Sequence, residues 1–208
     1  MLLTFQHPFT LGLYGPTGAG KTQLVHKIVT NGLIDKPIDK IWIFMMEDQP
    51  IYSNFGENVT IVKGPPTEKI YDGLLKEQNN LFIIDDMMDK VVKDSFLASL
   101  FTRGSHHRNL SIIFIAHNLF VSGKQARTIA LNLHYLILMG SLPDLNQVAL
   151  LGRRFFDNKS YFSDAYKQIT QEPYGYLVIV NRPGTSKELR LRTDLFKEYQ
   201  AVFLESQK

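Results

Sequence analysis

The chain has 208 residues, 44% of them hydrophobic and 21% charged, with a formal net charge of +3 and no cysteine. These are globular values that exclude disulfides and cysteine-ligated zinc, and the mild basicity permits a polyanionic partner without requiring one. The start, MLLTFQHPF, lacks a basic region and a long apolar core, and no uncharged apolar run approaches the roughly 18 residues that would cross a bilayer. The expectation is a soluble, intracellular protein without membrane insertion.

Pro8 to Tyr14 is apolar, β-rich and of strand length, and Gln23 to Val29 reads as the first turns of a helix. Between them Gly15-Pro16-Thr17-Gly18-Ala19-Gly20-Lys21-Thr22 fills every fixed position of G-x-x-x-x-G-K-[ST], in the strand–loop–helix setting that this motif needs. Lys40 to Glu47 predicts a buried strand and Val59 to Lys63 a short one. Gly64-Pro65-Pro66 then breaks the chain, and Thr67 caps a helix running to about Leu75. Leu81 to Ile84 is a fully apolar strand ending in Asp85-Asp86. A helix over Asp94 to Thr102 leads into the basic turn Arg103 to Asn109, and Ser111 to Ala116 is another buried strand, ending in His117-Asn118. A helix around Lys124 to Leu133, the strand Tyr135 to Met139, and helices over Asp144 to Phe156 and Ser163 to Ile169 follow. The chain closes with a hairpin: Tyr176 to Val180, a turn over Asn181 to Gly184, and Glu188 to Arg192. Apolar strands alternating with helices predict an α/β fold, a mostly parallel sheet flanked by helices. One domain over 1–208 is expected, with a core at about 7–140 and C-terminal helices and hairpin at 141–208.

The chemistry follows from geometry. The glycines let the backbone of Gly15, Pro16, Thr17, Gly18, Ala19 and Gly20 curl into a nest of inward N–H groups, and the following helix adds its positive dipole end. That arrangement holds the α- and β-phosphates of a nucleotide such as ATP. Lys21 reaches the β- and γ-phosphates, the Thr22 hydroxyl binds Mg²⁺, and the Gln23 amide touches the α-phosphate. The strand before Asp85-Asp86 delivers carboxylates to the sheet edge beside this loop, with Asp85 binding Mg²⁺ and Asp86 orienting or deprotonating the attacking water. A strand end merely capped by aspartate accounts for the same residues without chemistry, but the phosphate loop in the same chain favours the catalytic reading. His117 occupies a strand tip where a polar side chain can sense the γ-phosphate; a satisfied buried histidine is the structural alternative. Arg103 and Arg108 are candidates for a guanidinium reaching a neighbouring subunit's γ-phosphate, Arg153-Arg154 a third, and a solvated basic loop the plain reading. The adjacent His106 and His107 point apart on regular structure and make no zinc site. For nucleic acid the basic candidates are Lys124, Arg127, Arg153-Arg154, Arg182, Lys187, Arg190 and Arg192; Arg190 and Arg192 share a strand face with Glu188 and Asp194, so local ion pairing explains them equally well.

HPFTLGLYGPTGAGKT, LFIIDDMM and FTRGSHHRNLSIIFIAHNLF, in that order, resemble the DNA-packaging ATPases of the FtsK/HerA superfamily, in particular those of poxvirus-like and Polinton- or adintovirus-like double-stranded DNA viruses. The likeness covers about residues 7 to 140. It implies a RecA-like ATPase core with an additional strand between the phosphate-loop and acidic strands, a homo-oligomeric ring (pentamer or hexamer), and ATP-driven movement of double-stranded DNA into a preformed capsid at its portal vertex in an infected host cell. By the same resemblance Lys21, Thr22 and Asp85 bind nucleotide and Mg²⁺, Asp86 activates water, and Arg103 or Arg108 acts in trans. The family usually carries Gln where this chain has His117. A competing reading is a P-loop phosphotransferase such as a small-molecule kinase, which would need an acceptor pocket and an arginine-rich lid. A GTPase is disfavoured, because Asn158-Lys159-Ser160-Tyr161 lacks the acid of the guanine-specifying motif.

Overall fold

The computed structural model describes residues 2–104, 108–118, 124–140 and 145–204. Among these residues six strands run parallel: β1 (Thr10–Tyr14), β2 (Lys40–Met45), β3 (Val59–Lys63), β4 (Asn80–Asp85), β5 (Leu110–Ala116) and β6 (Tyr135–Met139). β7 (Tyr176–Val180), β8 (Leu191–Thr193) and β9 (Ala201–Val202) extend the sheet antiparallel. Among the described residues the order is β3-β2-β4-β5-β1-β6-β7-β8-β9.

The strands are continuous apolar runs because helices cover both faces, and the two-residue side-chain period splits each run between them. Leu11, Leu13, Ile41, Ile43, Leu81, Ile83, Ile113 and Ile115 face one core. There they meet Leu24, Val25 and Ile28 of helix α1 (Lys21–Thr30) and the N-terminal Phe5 and Phe9. Tyr14, Phe44, Phe82, Ile84, Ile112 and Phe114 face the other core. Its cover comes from α2 (Glu68–Asp72), α3 (Met88–Val91), α4 (Ser95–Ser99), α5 (Lys124–Leu131), α6 (Leu145–Phe155) and α7 (Lys159–Ile169). Caps set several starts: Thr67 accepts from the Ile70 amide, Asp94 from Phe96 and Leu97, and Asn158 from Ser160 and Tyr161. The Asn158 cap begins α7 four residues before Ser163, the start expected from sequence.

Three departures have local causes. The helix expected over Asp94 to Thr102 ends at Ser99 and widens into a π turn over Leu100–Gly104. A short 3₁₀ turn, Pro50–Asn54, occupies a stretch given no structure from sequence. The second hairpin strand begins only at Leu191, because a 3₁₀ turn over Lys187–Leu189 absorbs its predicted first residues. Arg190 therefore precedes the strand and does not share a face with Arg192, whose buried Nε donates to the Leu189 carbonyl. Asp194 pairs with Lys197 at 3.0 Å.

Helices α6 and α7 pack against each other, and Gly152 of α6 lies against Phe162 of α7. A Cβ built there would meet the fully buried Phe162 ring at 2.4 Å. Alanine gains up to about 1 kcal/mol of helix propensity, whereas overpacking a filled core costs about 1–3 kcal/mol. The clash wins, so Gly152→Ala should lower the urea midpoint of unfolding; an unchanged or higher midpoint would mean that the helices separate without cost.

Candidate active site

The C-terminal edge of the parallel strands gathers the polar residues. β1 leads directly into the loop, whose Gly15 amide donates to the Ala116 carbonyl of β5 at 3.2 Å and whose Ala19 amide donates to Pro16 at 3.2 Å. Gly18 (φ 79°) and Gly20 (φ 86°) hold left-handed backbone that side-chain-bearing residues rarely adopt, which is what turns the amides inward before α1 begins. A cavity of about 780 Å³ opens there, lined by Thr17, Gly18, Gly20, Lys21, Thr22 and Gln23 of the loop, and by Asp85, Asp86 and His117 from the adjoining strand ends.

Lys21 is buried, and its Nζ donates to the carbonyls of Gly15 (2.8 Å) and Pro16 (2.9 Å) and to Nδ1 of His117 (3.1 Å). Burial pushes its pKa down, while the charges of Asp85 and Asp86 oppose that shift. The sheet order places β5 between β1 and β4, so His117 at the tip of β5 stands between the loop and the acids. Its Nε2 lies 3.2 Å from Oδ2 of Asp86. An ammonium can only donate, so the contact with Lys21 makes Nδ1 the acceptor and assigns the proton to Nε2, which donates to Asp86. A continuous chain thus runs from Lys21 through His117 to Asp86. Asp86 has φ 51°, in a region aspartate tolerates better than most residues, and its amide donates to the Ile115 carbonyl at 3.0 Å.

Asp85 is buried, and burial raises its pKa despite the opposing hydrogen bond from Tyr52 and the charge of Lys21. Its Oδ2 accepts from the Tyr52 hydroxyl and from Gln49 Nε2 at 2.9 Å. The Thr22 side chain acts on the same Tyr52 hydroxyl, opposing the rise that burial imposes on the phenol, and Thr22 and Asp85 line one cavity. Two hard oxygen donors at one corner of a phosphate pocket fit Mg²⁺, which commonly takes one or two protein ligands and completes its shell with phosphate and water.

The structure brings Lys21, Thr22, Asp85, Asp86 and His117 to one cavity, together with Gln49 and Tyr174, and adds Tyr52 on Asp85; the sequence alone did not point to these last three. Gln49 and Tyr52 follow β2, the strand beside β4, so only the strand order brings them to Asp85. Tyr174 also lines the cavity, and a Pro-Tyr-Gly turn gives no signal of that. Arg108 is elsewhere. It precedes β5 at the opposite sheet edge, pairs with Asp72 at 3.3 Å and lies over the Tyr71 ring. The side chains of Arg103, Lys124 and Arg127 lie outside the described residues, as do His106, His107 and Asp144. Arg182 donates to the carbonyls of Gln6 and Pro8, Lys187 pairs with Asp157, and Arg153 and Arg154 are exposed at the end of α6. Among the described residues no helix is long and apolar enough to cross a membrane.

No family model and no curated protein matches the sequence. Solved structures do. The genome packaging NTPase B204 of Sulfolobus turreted icosahedral virus 2, in complex with ATP-gammaS, superposes with a TM-score of 0.61 at 12% identity, covering 89% of this chain and 96% of that one. The pCW3 conjugation coupling protein TcpA gives 0.52 at 12% identity, covering 84% and 58%. The cytoplasmic domain of the type VII secretion ATPase EccC from Thermomonospora curvata gives 0.54 at 12% identity, covering 82% and 24%. The likeness is one of fold: a mostly parallel P-loop ATPase sheet with flanking helices and a C-terminal antiparallel extension.

A buried carboxyl with a raised pKa contributes stability that is present below its unfolded pKa and lost as pH rises through its folded one. Ionising Asp85 is therefore a net cost to the nucleotide-free fold. Asp85→Asn should raise the nucleotide-free Tm at pH 7, and its advantage over wild type should shrink as pH falls through the raised pKa toward the unfolded one. A lower Tm at pH 7 would contradict this.

Proposed function

We propose that the chain is an ATP-hydrolysing motor of the FtsK/HerA packaging type, working as a homo-oligomeric ring that moves double-stranded DNA into a viral capsid. The observation carrying this reading is the chain Lys21–His117–Asp86, which joins the phosphate loop, the tip of the inserted strand and the second acid in one hydrogen-bonded line. Support also comes from the fold likeness to B204, a genome packaging NTPase, and to TcpA, a conjugation coupling protein.

In this mechanism the loop amides of Gly15, Pro16, Thr17, Gly18, Ala19 and Gly20 bind the phosphates, and Gln23 lies at the α-phosphate. Lys21 exchanges the carbonyls of Gly15 and Pro16, now its acceptors, for β- and γ-phosphate oxygens. Mg²⁺, held by Thr22 and Asp85 once Tyr52 moves off the carboxylate, would neutralise charge on the β- and γ-phosphates. Asp86 accepts a hydrogen bond from the attacking water and aims its lone pair at the γ-phosphorus; the new O–P bond forms as the bridging O–P bond breaks, the electron pair leaves with ADP, and the water's proton passes to the Asp86 carboxylate. His117 donates from Nε2 to Asp86 and reports through Nδ1 whether Lys21 has been drawn away by phosphate. Arg103 and Arg108 are the candidates for a contribution in trans, and Arg108 would have to leave Asp72 to make it. The protein is proposed to act in solution inside an infected cell.

Phosphate release with and without duplex DNA tests the motor against the kinase. The motor predicts stimulation by DNA that fades as salt rises, since phosphate contacts release counterions; stimulation by a small acceptor with phosphorylated product would replace it by the kinase. Lys21→Ala should abolish turnover. Asp86→Asn should lower kcat by about 10²–10⁴, the usual worth of a positioned base, and full activity in that variant would remove Asp86 from the reaction. Mixing inactive Lys21→Ala with inactive Arg103→Ala or Arg108→Ala protein should restore part of the activity if an arginine acts in trans.

A further inference from the structure

The connection from α7 to β7 presents an aromatic ring to the phosphate pocket at the cost of an unfavourable backbone. Tyr174 has φ 59°, a left-handed conformation that is unusual for a bulky residue, and its side chain is 71% exposed at the rim of the cavity. Such an outlier persists only where the surroundings over-determine it. They do here. The Gly175 amide donates to Glu172, and a Cβ at Gly175 would sit 1.9 Å from the Ile169 carbonyl oxygen, so the turn can only close tightly. The Gly140 amide donates to the Gly175 carbonyl at 2.7 Å, and the buried Tyr166 hydroxyl donates to Met139 at 2.9 Å, which fastens the turn to the end of β6 beside the loop. The ring edge consequently lies 3.2 Å from where a Gly20 Cβ would be, over the start of α1. β6 flanks β1 on the side opposite β5 and β4, so the turn fastened to its end stands across the loop from the strand tips that carry His117 and Asp85, on the side that suits the nucleoside end of a nucleotide whose γ-phosphate lies at the acids.

We propose that Tyr174 is the nucleobase platform of the site: its exposed ring face stacks on the base of the bound triphosphate. The proposal rests on the phosphate-loop reading above. The recognition is by π-face and area, so it tolerates base identity instead of reading hydrogen bonds.

The test separates base from phosphate. Affinities for ATP and for inorganic tripolyphosphate, each with Mg²⁺, are measured calorimetrically on wild type, Tyr174→Gly and Tyr174→Phe. Glycine suits φ 59° without strain, so Tyr174→Gly should fold at least as stably as wild type. It should bind ATP about 10-fold more weakly, within the range for loss of one base–aromatic stack, while tripolyphosphate affinity stays unchanged and Tyr174→Phe keeps wild-type affinity for both. Unchanged ATP affinity in Tyr174→Gly, or an equal loss for ATP and tripolyphosphate, would overturn the proposal. Loss in Tyr174→Phe equal to that in Tyr174→Gly would also overturn it, by assigning the effect to the hydroxyl. Wild-type protein that binds neither ligand would overturn the phosphate-loop reading itself.

Discussion

A buried ammonium held only by carbonyls and one imidazole nitrogen is the interaction on which the site depends. Lys21 is drawn into the loop by the carbonyls of Gly15 and Pro16 and by Nδ1 of His117. Burial alone would favour its neutral form, and the nearby acids counter that preference. The charge is therefore expensive to keep and poorly neutralised, because Asp86 is reached only through His117 and Asp85 is occupied by Tyr52 and Gln49. A polyanion entering the cavity removes that imbalance. The resting arrangement of the fold thus suits a polyanion.

The sheet order makes this arrangement unavoidable. Inserting β5 between β1 and β4 sets His117 level with the loop on one side and the acids on the other. Parallel strands buried on both faces fix the register, since a slip of one residue would exchange the two cores. The Asp85↔Ile115 and Tyr14↔Ala116 pairings are those that bring the strand tips level. The buried His7 ties the other end of β5, its Nδ1 2.6 Å from Ser111 Oγ and its Nε2 3.1 Å from Asn109 Oδ1. Packing, not loop chemistry, positions the reactive groups.

Most of the parallel half was legible in sequence because its strands are uninterrupted apolar runs bounded by unambiguous breakers, and the loop motif names its own phosphate contacts. What escaped reading depended on contacts distant in the chain. Tyr52 reaches Asp85 across 33 positions, and nothing local to Pro50–Asn54 announces it. The late start of β8 and the αL backbone of Tyr174 are decided by surrounding packing, which propensity does not encode. The shared face assigned to Arg190 and Arg192 failed for the same reason: period-two reasoning applies only where a strand has formed.

A crystal structure with Mg²⁺ and a non-hydrolysable ATP analogue tests the central claim most directly. The account predicts that Lys21 Nζ leaves the carbonyls of Gly15 and Pro16 for the β- and γ-phosphates, and that the Tyr52 hydroxyl leaves Asp85. A triphosphate bound elsewhere, or bound with Lys21 still on its carbonyls and Asp85 still capped by Tyr52, would contradict it.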